Sequence, residues 1–206
     1  MSNDAVIFGY SGHAYVVIEI LVANNYRVIG YYDREQKKKN PFSINHIGIE
    51  PDGPTIEKIK DCSAFICIGD NKIRAAIFEK LIHNSISCPA VAHKSAIVSP
   101  SAQIGYGTII VAGAVINAMA KIGNAVICNT SCVIDHECVI GDYSHIAPGT
   151  VLAGNVTVGN NTFIGANSVV KQGVTIGSDV IIGAGSVILK DVADGLTVYG
   201  NPAKER

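Results

Sequence analysis

The sequence predicts two folds in series, a small α/β domain over residues 1–90 and a parallel β-helix over residues 91–206. Three observations carry this prediction. Apolar segments of the first third alternate between strand and helix lengths, an aliphatic residue returns at every sixth position from Val98 to Ile188, and a glycine returns every eighteen residues. The fold class is therefore α/β followed by all-β.

The first domain is predicted from its apolar segments. Segments that suit strands cover residues 4–9, 26–32 and 64–68. Segments that suit helices cover residues 14–23 and 72–83. A strand, glycine turn, helix and strand in this order indicate a βαβ unit, whose ligands bind at the carboxyl ends of the parallel strands.

Polar residues follow each predicted strand and are the candidate substrate-binding residues. The turn after the first strand places a phosphate-binding type of sequence at a helix N-terminus, although it lacks the third glycine of the dinucleotide fingerprint. Asp33 suits a ribose or base hydroxyl. Two readings stay open, because Ser11 also suits a helix cap and Asp33 a turn. The candidates are Ser11, Gly12, His13, Asp33, Arg34 and Gly69.

The six-residue repeat is the strongest signal in the chain. Sixteen consecutive positions from Val98 to Ile188 are aliphatic except for Cys128. A period of six matches neither the 3.6-residue helix nor the heptad, but it fits short strands wound into a parallel β-helix. The aliphatic residues are predicted to point inward and form the core.

An eighteen-residue period overlies the hexads and indicates three hexads in each coil of a triangular prism. We expect glycine at one corner because it tolerates unusual backbone angles and close approach. The glycines that repeat with this period are Gly105, Gly123, Gly141, Gly159 and Gly177.

Composition excludes several classes of protein. The formal net charge is -1 and 16% of residues are charged, which argues against a nucleic-acid partner, and the basic run at residues 37–39 suits a solvated loop. No apolar stretch is long enough to span a bilayer, and the N-terminus lacks the charged region of a signal peptide, so we expect a cytoplasmic protein. The six cysteines form no C-x-x-C pair, and we expect no metal.

Five segments together resemble the nucleotide-sugar acetyltransferase family, which includes bacillosamine and perosamine N-acetyltransferases and sialic acid O-acetyltransferases. They are GYSGH at residues 9–13, YYD at 31–33, IGDNKIR at 68–74, IDHECVIGDYSH at 134–145 and GNPAK at 200–204. The resemblance covers essentially the whole chain. It implies a Rossmann-like first domain, a left-handed β-helix and a homotrimer with active sites between subunits.

The same resemblance assigns chemistry to the segment around His136. Acyl transfer needs a group that accepts the proton of the nucleophile near neutral pH, and imidazole suits this role. The family match makes His136 the base and Glu137 the carboxylate that orients it, although Asp135 is a neighbour that competes for that role. A histidine at a prism corner is otherwise an ordinary surface residue.

The implied co-substrate is acetyl-CoA. The family match for His145 contacts acetyl-CoA, and the GNPAK segment resembles the part of the chain that closes over it. Gly154, Ala166 and Ala184 share the hexad slot of His136 and are small enough to leave room for the pantetheine, although tight corners favour small residues for steric reasons alone. These four residues are the predicted cofactor-binding set.

The predicted function is transfer of an acetyl group to the amine of a nucleotide-linked amino sugar, a UDP-4-amino-4,6-dideoxy sugar, for surface glycan or glycoprotein synthesis. Direct attack in a ternary complex is expected, because no cysteine or serine beside His136 has an obvious claim to be the nucleophile. Two alternatives remain: a sugar O-acetyltransferase of the sialic acid type, and a non-catalytic trimeric scaffold that binds nucleotides. The sequence leaves open whether the base is uracil or guanine.

Overall fold

The computed structural model describes residues 3–49 and 53–205. Its first domain is a four-stranded parallel sheet of order β3-β2-β1-β4. The strands are β1 (Asp4–Phe8), β2 (Arg27–Tyr32), β3 (His46–Gly48) and β4 (Ser63–Ile66), and the helices are α1 (Gly12–Ala23), α2 (Gly53–Lys58) and α3 (Asn71–His83). The predicted βαβ order is confirmed. The sequence did not predict β3 and α2, because elements of three and six residues are too short to show a period.

Apolar layers cover the sheet on both sides, as its parallel strands require. Ala5 and Ile7 of β1 pack in one buried cluster with α1, whereas Val6 and Phe8 pack in another with Phe78 of α3. Successive side chains of a strand point to opposite faces, so β1 serves both layers. The carboxyl ends of β1, β2 and β4 are thereby left facing one rim.

The second domain is a parallel β-helix of three stacked sheets, as the hexads predicted. The domain face, which meets the first domain, consists of β5 (Val91–Ala92), β8 (Ile109–Ile110), β11 (Ile127–Cys128), β14 (His145–Ile146), β17 (Phe163–Ile164), β20 (Ile181–Ile182), β22 (Thr197–Gly200) and the closing antiparallel strand β23 (Ala203–Glu205). The aliphatic face consists of β6 (Ile97–Val98), β9 (Val115–Ile116), β12 (Val133–Ile134), β15 (Val151–Leu152), β18 (Val169–Val170) and β21 (Val187–Ile188). The polar face consists of β7 (Gln103–Ile104), β10 (Lys121–Ile122), β13 (Val139–Ile140), β16 (Thr157–Val158) and β19 (Thr175–Ile176).

The second residue of each two-residue strand forms the core of the prism. From Ile110 to Ile188 each of these inward residues is at most 4% exposed. Coils stack in register at eighteen-residue spacing, so that Ile134 pairs with Leu152 and with Ile116. The three hexad cysteines, Cys128, Cys132 and Cys138, are buried and free, and they behave as small apolar core residues.

The three edges of the prism are named by the residues that they carry. The glycine edge joins the polar and domain faces and carries the five glycines of the eighteen-residue period. The alanine edge joins the domain and aliphatic faces and carries Ala166 and Ala184. The histidine edge joins the aliphatic and polar faces and carries His136.

Close stacking, not backbone angle, explains the five periodic glycines. A Cβ on Gly105 would lie 2.4 Å from the carbonyl carbon of Gly123, and one on Gly159 would lie 2.5 Å from that of Gly177. None of the five has a positive φ. The left-handed backbone angles occur two residues later, at the third residue of each turn, and that position accepts residues such as Glu137 and Asn155. The expected close approach at these glycines is therefore confirmed, whereas the expected unusual backbone angles were wrong.

The first domain sits on the domain face and the glycine edge. Val91, Ile109 and Val111 belong to the same buried cluster as α1, and Ala125 packs with Phe78 of α3. Across the described part of the chain, no helix is both long and apolar enough to cross a membrane. The described residues likewise contain no group of three or more potential metal ligands.

Candidate active site

The backbone around His136 is fixed between two neighbouring coils. His136 follows β12 in the turn of the histidine edge, and Glu137 adopts a left-handed φ of 62°. The Glu137 amide donates to the Ala118 carbonyl at 3.0 Å, and the His136 carbonyl accepts from the Asn155 amide at 2.8 Å. The turn therefore presents both side chains outward from a rigid frame.

The imidazole of His136 is oriented by its neighbour. Its Nδ1 lies 3.2 Å from Oε2 of Glu137, and the His136 side chain is 49% exposed. A carboxylate only accepts hydrogen bonds, so Nδ1 carries the hydrogen of the neutral ring and the lone pair is on Nε2. The result is an accessible imidazole with a defined tautomer.

Asp135 is engaged elsewhere. Its Oδ1 accepts from Nδ2 of Asn117 at 2.7 Å and from the His136 amide at 2.7 Å. The Asn117 amide, and after it the backbone hydrogen bond, lower the pKa of the Asp135 carboxyl. Sequence reasoning left Asp135 and Glu137 as rivals for the ring, and the geometry places Glu137 on it.

Gly154 lies directly beneath the histidine in the next coil. A Cβ at Gly154 would come within 2.4 Å of both Cε1 and Nε2 of His136, so a glycine is needed to seat the ring. Ala166 and Ala184 lie on the alanine edge instead. Residues that share a hexad slot share an edge only when eighteen residues separate them, so the structure joins Gly154 to His136 but not the two alanines.

A first cavity of about 230 Å³ opens at the carboxyl ends of β1, β2 and β4. It brings together four of the six predicted substrate-binding residues: Ser11, Asp33, Arg34 and Gly69. Gly12 and His13, in the first turn of α1, do not line it. Phe8, Tyr32 and Ile68 are among its apolar lining residues.

Two contacts bear on the readings left open for Ser11 and Asp33. Ser11 precedes α1, but its side chain makes no capping hydrogen bond. Asp33 accepts the Tyr10 amide on Oδ2 at 2.9 Å and pairs through Oδ1 with Nζ of Lys37 at 3.1 Å. Ser11 thus has a hydroxyl available at the cavity, whereas Asp33 also holds the turn around it.

His145 is buried and His13 is half-buried where the two domains meet. Burial, with a further contribution from the Arg74 guanidinium, lowers the pKa of His13 to about 4 and that of His145 to about 3. Nε2 of His145 accepts from Nδ2 of Asn129 at 3.0 Å, and its ring meets that of Phe163 edge-on at 5.2 Å. Both imidazoles are therefore neutral, and His145 is only 8% exposed.

A second cavity of about 500 Å³ lies between the start of α3 and strands β17 and β20 of the domain face. Gly69 lines this cavity and the first, so the two are neighbours. Apart from Asp70 and Asn71, which belong with Gly69 to the polar group after the third predicted strand, sequence reasoning missed the other lining residues; the available signal was two apolar side chains in outward slots of the domain face, Phe163 and Ile181. The remaining lining residues are Asp70, Asn71, Lys72, Asn161 and Asp179.

Known protein families match one segment in each half of the chain. Residues 4–81 match the PglD N-terminal domain, and residues 155–190 match the bacterial transferase hexapeptide family of six repeats. No curated protein sequence matches the chain significantly.

Several solved structures superimpose along the whole length. The acetyltransferase domain of PglB from Neisseria gonorrhoeae FA1090 is 34% identical with a TM-score of 0.92, and each chain is covered completely. That domain has also been solved with acetyl coenzyme A. A histidine-to-asparagine mutant of perosamine N-acetyltransferase from Caulobacter crescentus, in complex with CoA and GDP-perosamine, is 37% identical with a TM-score of 0.92. The alignment covers 98% of this chain and 96% of that one.

A hexapeptide β-helix that carries an exposed, carboxylate-oriented histidine on its edge defines an acyltransferase of the hexapeptide class. The first domain and the full-length similarities narrow the class further. The chain belongs to the sugar acetyltransferase family that contains the PglB acetyltransferase domain and perosamine N-acetyltransferase. The family predicted from the sequence motifs is confirmed.

Proposed function

We propose that this enzyme transfers the acetyl group of acetyl-CoA to the amine of a nucleotide-linked amino sugar. Residues 1–90 hold the nucleotide and residues 91–206 carry the transfer. The observation that carries the proposal is the exposed imidazole of His136, with Nδ1 on Glu137 and the lone pair of Nε2 free. The acetyl-CoA complex of the PglB domain and the CoA and GDP-perosamine complex of the Caulobacter enzyme support it.

The chemistry proceeds by direct attack in a ternary complex. The amine lone pair attacks the thioester carbonyl carbon while Nε2 of His136 takes a proton from the nitrogen, and Glu137 stabilises the resulting imidazolium. The tetrahedral intermediate then expels the thiolate, which takes up the proton as free CoA, and leaves the acetamido sugar. Cys138 is no rival nucleophile, because its buried thiol donates to the Ala153 carbonyl and burial raises the pKa of that thiol.

The first cavity is the proposed nucleotide site. Ser11 and Arg34 offer a hydroxyl and a guanidinium to hydroxyls and phosphates, while Gly12 and His13 supply the start of α1. Asp33 and Gly69 shape the rim. The cavity, about 230 Å³ in volume, shares Gly69 with the second cavity, so it would enclose only part of a nucleotide sugar. From the resemblance of the sequence motifs to bacillosamine N-acetyltransferases we propose a UDP-4-amino-4,6-dideoxy sugar, used for surface glycan or glycoprotein synthesis.

The aliphatic face supports a homotrimer. Its outward residues are aliphatic in every coil, and Ile97 and Val169 are 65% and 44% exposed in the single chain. Such a continuous apolar stripe is typical of a protein interface. The stripe is formed by Ile97, Val115, Val133, Val151, Val169 and Val187.

The positions of the three edges favour an active site between subunits. Residues 68–71, which lie between the first and second cavities, meet the glycine edge where Asn71 bonds to Asn161, whereas His136 lies on the histidine edge on another side of the same prism. The aliphatic face is bordered by the histidine and alanine edges. A copy packed on this face brings its own surface beside His136, and we propose that the sugar held by one copy meets His136 of another.

Acetyl-CoA is proposed to lie in the cleft between two prisms. Gly154 leaves the room that the His136 ring occupies, and Ala166 and Ala184 provide the small side chains of the facing alanine edge. We retain His145 in this set on the family match alone, since it lies on the domain face and is only 8% exposed. The β22-β23 hairpin, which contains the GNPAK segment, closes the end of the prism. A cytoplasmic location stays a prediction.

In the test, purified enzyme is mixed with acetyl-CoA and one acceptor at a time, and the release of thiol is measured. The acceptors are a panel of UDP- and GDP-linked amino sugars and free sialic acid. Wild type is expected to release CoA with at least one nucleotide amino sugar. His136→Ala should lose most of this turnover while sedimentation shows the oligomer intact. No release with any sugar, or equal release by His136→Ala, would refute the proposal. Turnover of sialic acid alone would assign O-acetylation instead.

A further inference from the structure

Arg74 of α3 is a buried cation that, within residues 3–49 and 53–205, hydrogen-bonds to no carboxylate. It is 1% exposed, and burial lowers the pKa of its guanidinium to about 10. Every one of its side-chain nitrogens donates to oxygen. The acceptors are the carbonyls of Ala125 (2.7 Å), Tyr143 (2.6 Å), Ile68 (3.0 Å), Gly69 (3.2 Å) and Ser144 (3.3 Å), and Oδ1 of Asn71 (2.8 Å).

These acceptors come from two parts of the fold. One set, from residues 125, 143 and 144, belongs to the glycine edge and the start of the domain face. The other set belongs to the loop of residues 68–71 between β4 and α3, which we call the Gly69 loop. A second bond joins the same two parts, from Nδ2 of Asn71 to the Asn161 carbonyl at 2.9 Å. The guanidinium therefore connects the Gly69 loop to the β-helix.

The Gly69 loop is the common wall of the two cavities. Ile68 lines the first cavity, Asn71 lines the second, and Gly69 lines both. The carbonyl of Gly69 also faces His145 closely enough to oppose the lowering of its pKa. This loop thus borders the path along which a ligand would extend from the first cavity into the second.

Adhesion between the domains does not need this charge. Val91, Ile109 and Val111 already pack apolar surface against α1 at the same boundary. Burying a cation is costly unless all of its donors are bonded, whereas apolar contacts carry no such cost. The planar guanidinium of arginine provides what apolar contacts lack, because its hydrogen bonds hold several backbone carbonyls in fixed positions at once.

We propose that Arg74 is a positioning residue. It holds the Gly69 loop so that a nucleotide sugar bound in the first cavity projects its sugar toward the second cavity. The identity of the substrate rests on the proposed function. Arg74 itself touches neither the substrate nor the reacting atoms, and it acts through the loop.

The kinetic test compares Arg74→Lys with Tyr143→Phe in the full-length enzyme. Lysine keeps the charge but cannot bridge the six acceptors. Tyr143→Phe removes the hydroxyl that bonds to Glu79 at the same boundary and keeps the backbone carbonyl. For Arg74→Lys we expect KM for the nucleotide sugar to rise about tenfold or more, with KM for acetyl-CoA within about twofold. Tyr143→Phe should leave both KM values unchanged.

A second readout needs no substrate. Hydrogen exchange of the amides in residues 67–72 should be about tenfold faster in Arg74→Lys than in wild type, and unchanged in Tyr143→Phe. If Arg74→Lys does not fold, Asn71→Ala takes its place, because it removes one acceptor and the link to Asn161 while leaving Arg74 bonded to carbonyls. There we expect exchange and nucleotide-sugar KM to rise about threefold.

Two results would overturn the assignment. One is a folded variant with unchanged exchange in the Gly69 loop. The other is a KM that rises equally for both substrates, which is the pattern of general loosening. A wild-type enzyme that is inactive on every nucleotide sugar would refute the proposed function, yet hydrogen exchange would still decide the role of Arg74.

Discussion

Acidification should destabilise this protein through two histidines, His145, which is buried, and His13, which is half-buried. An ordinary histidine has a pKa near 6.5, whereas burial lowers the pKa of His13 to about 4 and that of His145 to about 3. Below pH 6.5 the unfolded chain takes up protons at both positions, while the folded protein does so only below about pH 4. The unfolded state therefore binds more protons in this window, and stability falls as the pH falls.

The magnitude at pH 5 follows from these values. Each histidine lowers the free energy of unfolding by about 2 kcal/mol between pH 7 and pH 5, and the two together by about 4 kcal/mol. The estimate depends little on the folded pKa values, because both lie well below 5. The Arg74 guanidinium disfavours protonation of both rings and His13 disfavours that of His145, whereas the Gly69 carbonyl favours protonation of His145 and only partly offsets the lowering of its pKa.

The assay is urea unfolding at pH 7 and pH 5, at fixed protein concentration so that any association is held constant. Wild type is compared with His13→Asn and His145→Asn. His83→Asn, an exposed histidine at the end of α3, is the matched control. Each buried-site variant should lose about 2 kcal/mol less than wild type on acidification, and His83→Asn should match wild type. Equal losses in all four proteins would refute the reasoning.

Three further predictions concern the prism. Gly154→Ala should lower kcat about tenfold or more while circular dichroism and the melting temperature barely change, because the new methyl displaces the His136 ring and not the core; a normal kcat would contradict this. Glu137→Gln should lower kcat about tenfold, because an amide can no longer hold Nδ1 as a charged acceptor, and a kcat equal to that of wild type would exclude the orienting role. Val151→Glu should dissociate the oligomer in sedimentation, because it buries a charge in the aliphatic stripe, whereas Thr157→Glu on the polar face should not; an intact trimer in both would place the interface elsewhere.

The β-helix could be predicted because every coil repeats the same local rule. Each two-residue strand sends one side chain inward, so a core of sixteen positions leaves a period in the sequence. The same rule misled the assignment of edges. A hexad slot returns three times per coil, so Ala166 and Ala184 shared the slot of His136 but lie on another edge.

The first domain was predictable only in its longer elements. β3 has three residues, which is too short to show alternation, although it pairs with β2, the strand just before it in the chain. The second cavity was beyond sequence reasoning for another reason. It arises where α3 meets the domain face, and contacts between Asn71 and Asn161, ninety residues apart, obey no period.

The eighteen-residue coil restricts how this chain can change in length. Removing or duplicating a single hexad downstream of β12 would rotate everything beyond it by a third of a revolution, which would carry residues from one side of the prism to the next. Only whole multiples of eighteen residues preserve the alignment between His136 and the groups that surround it. Insertions and deletions in the prism are thus expected to come in whole coils. A change of one hexad would keep every aliphatic residue of the core pointing inward, but it would move the outward residues beyond it to a different face of the prism.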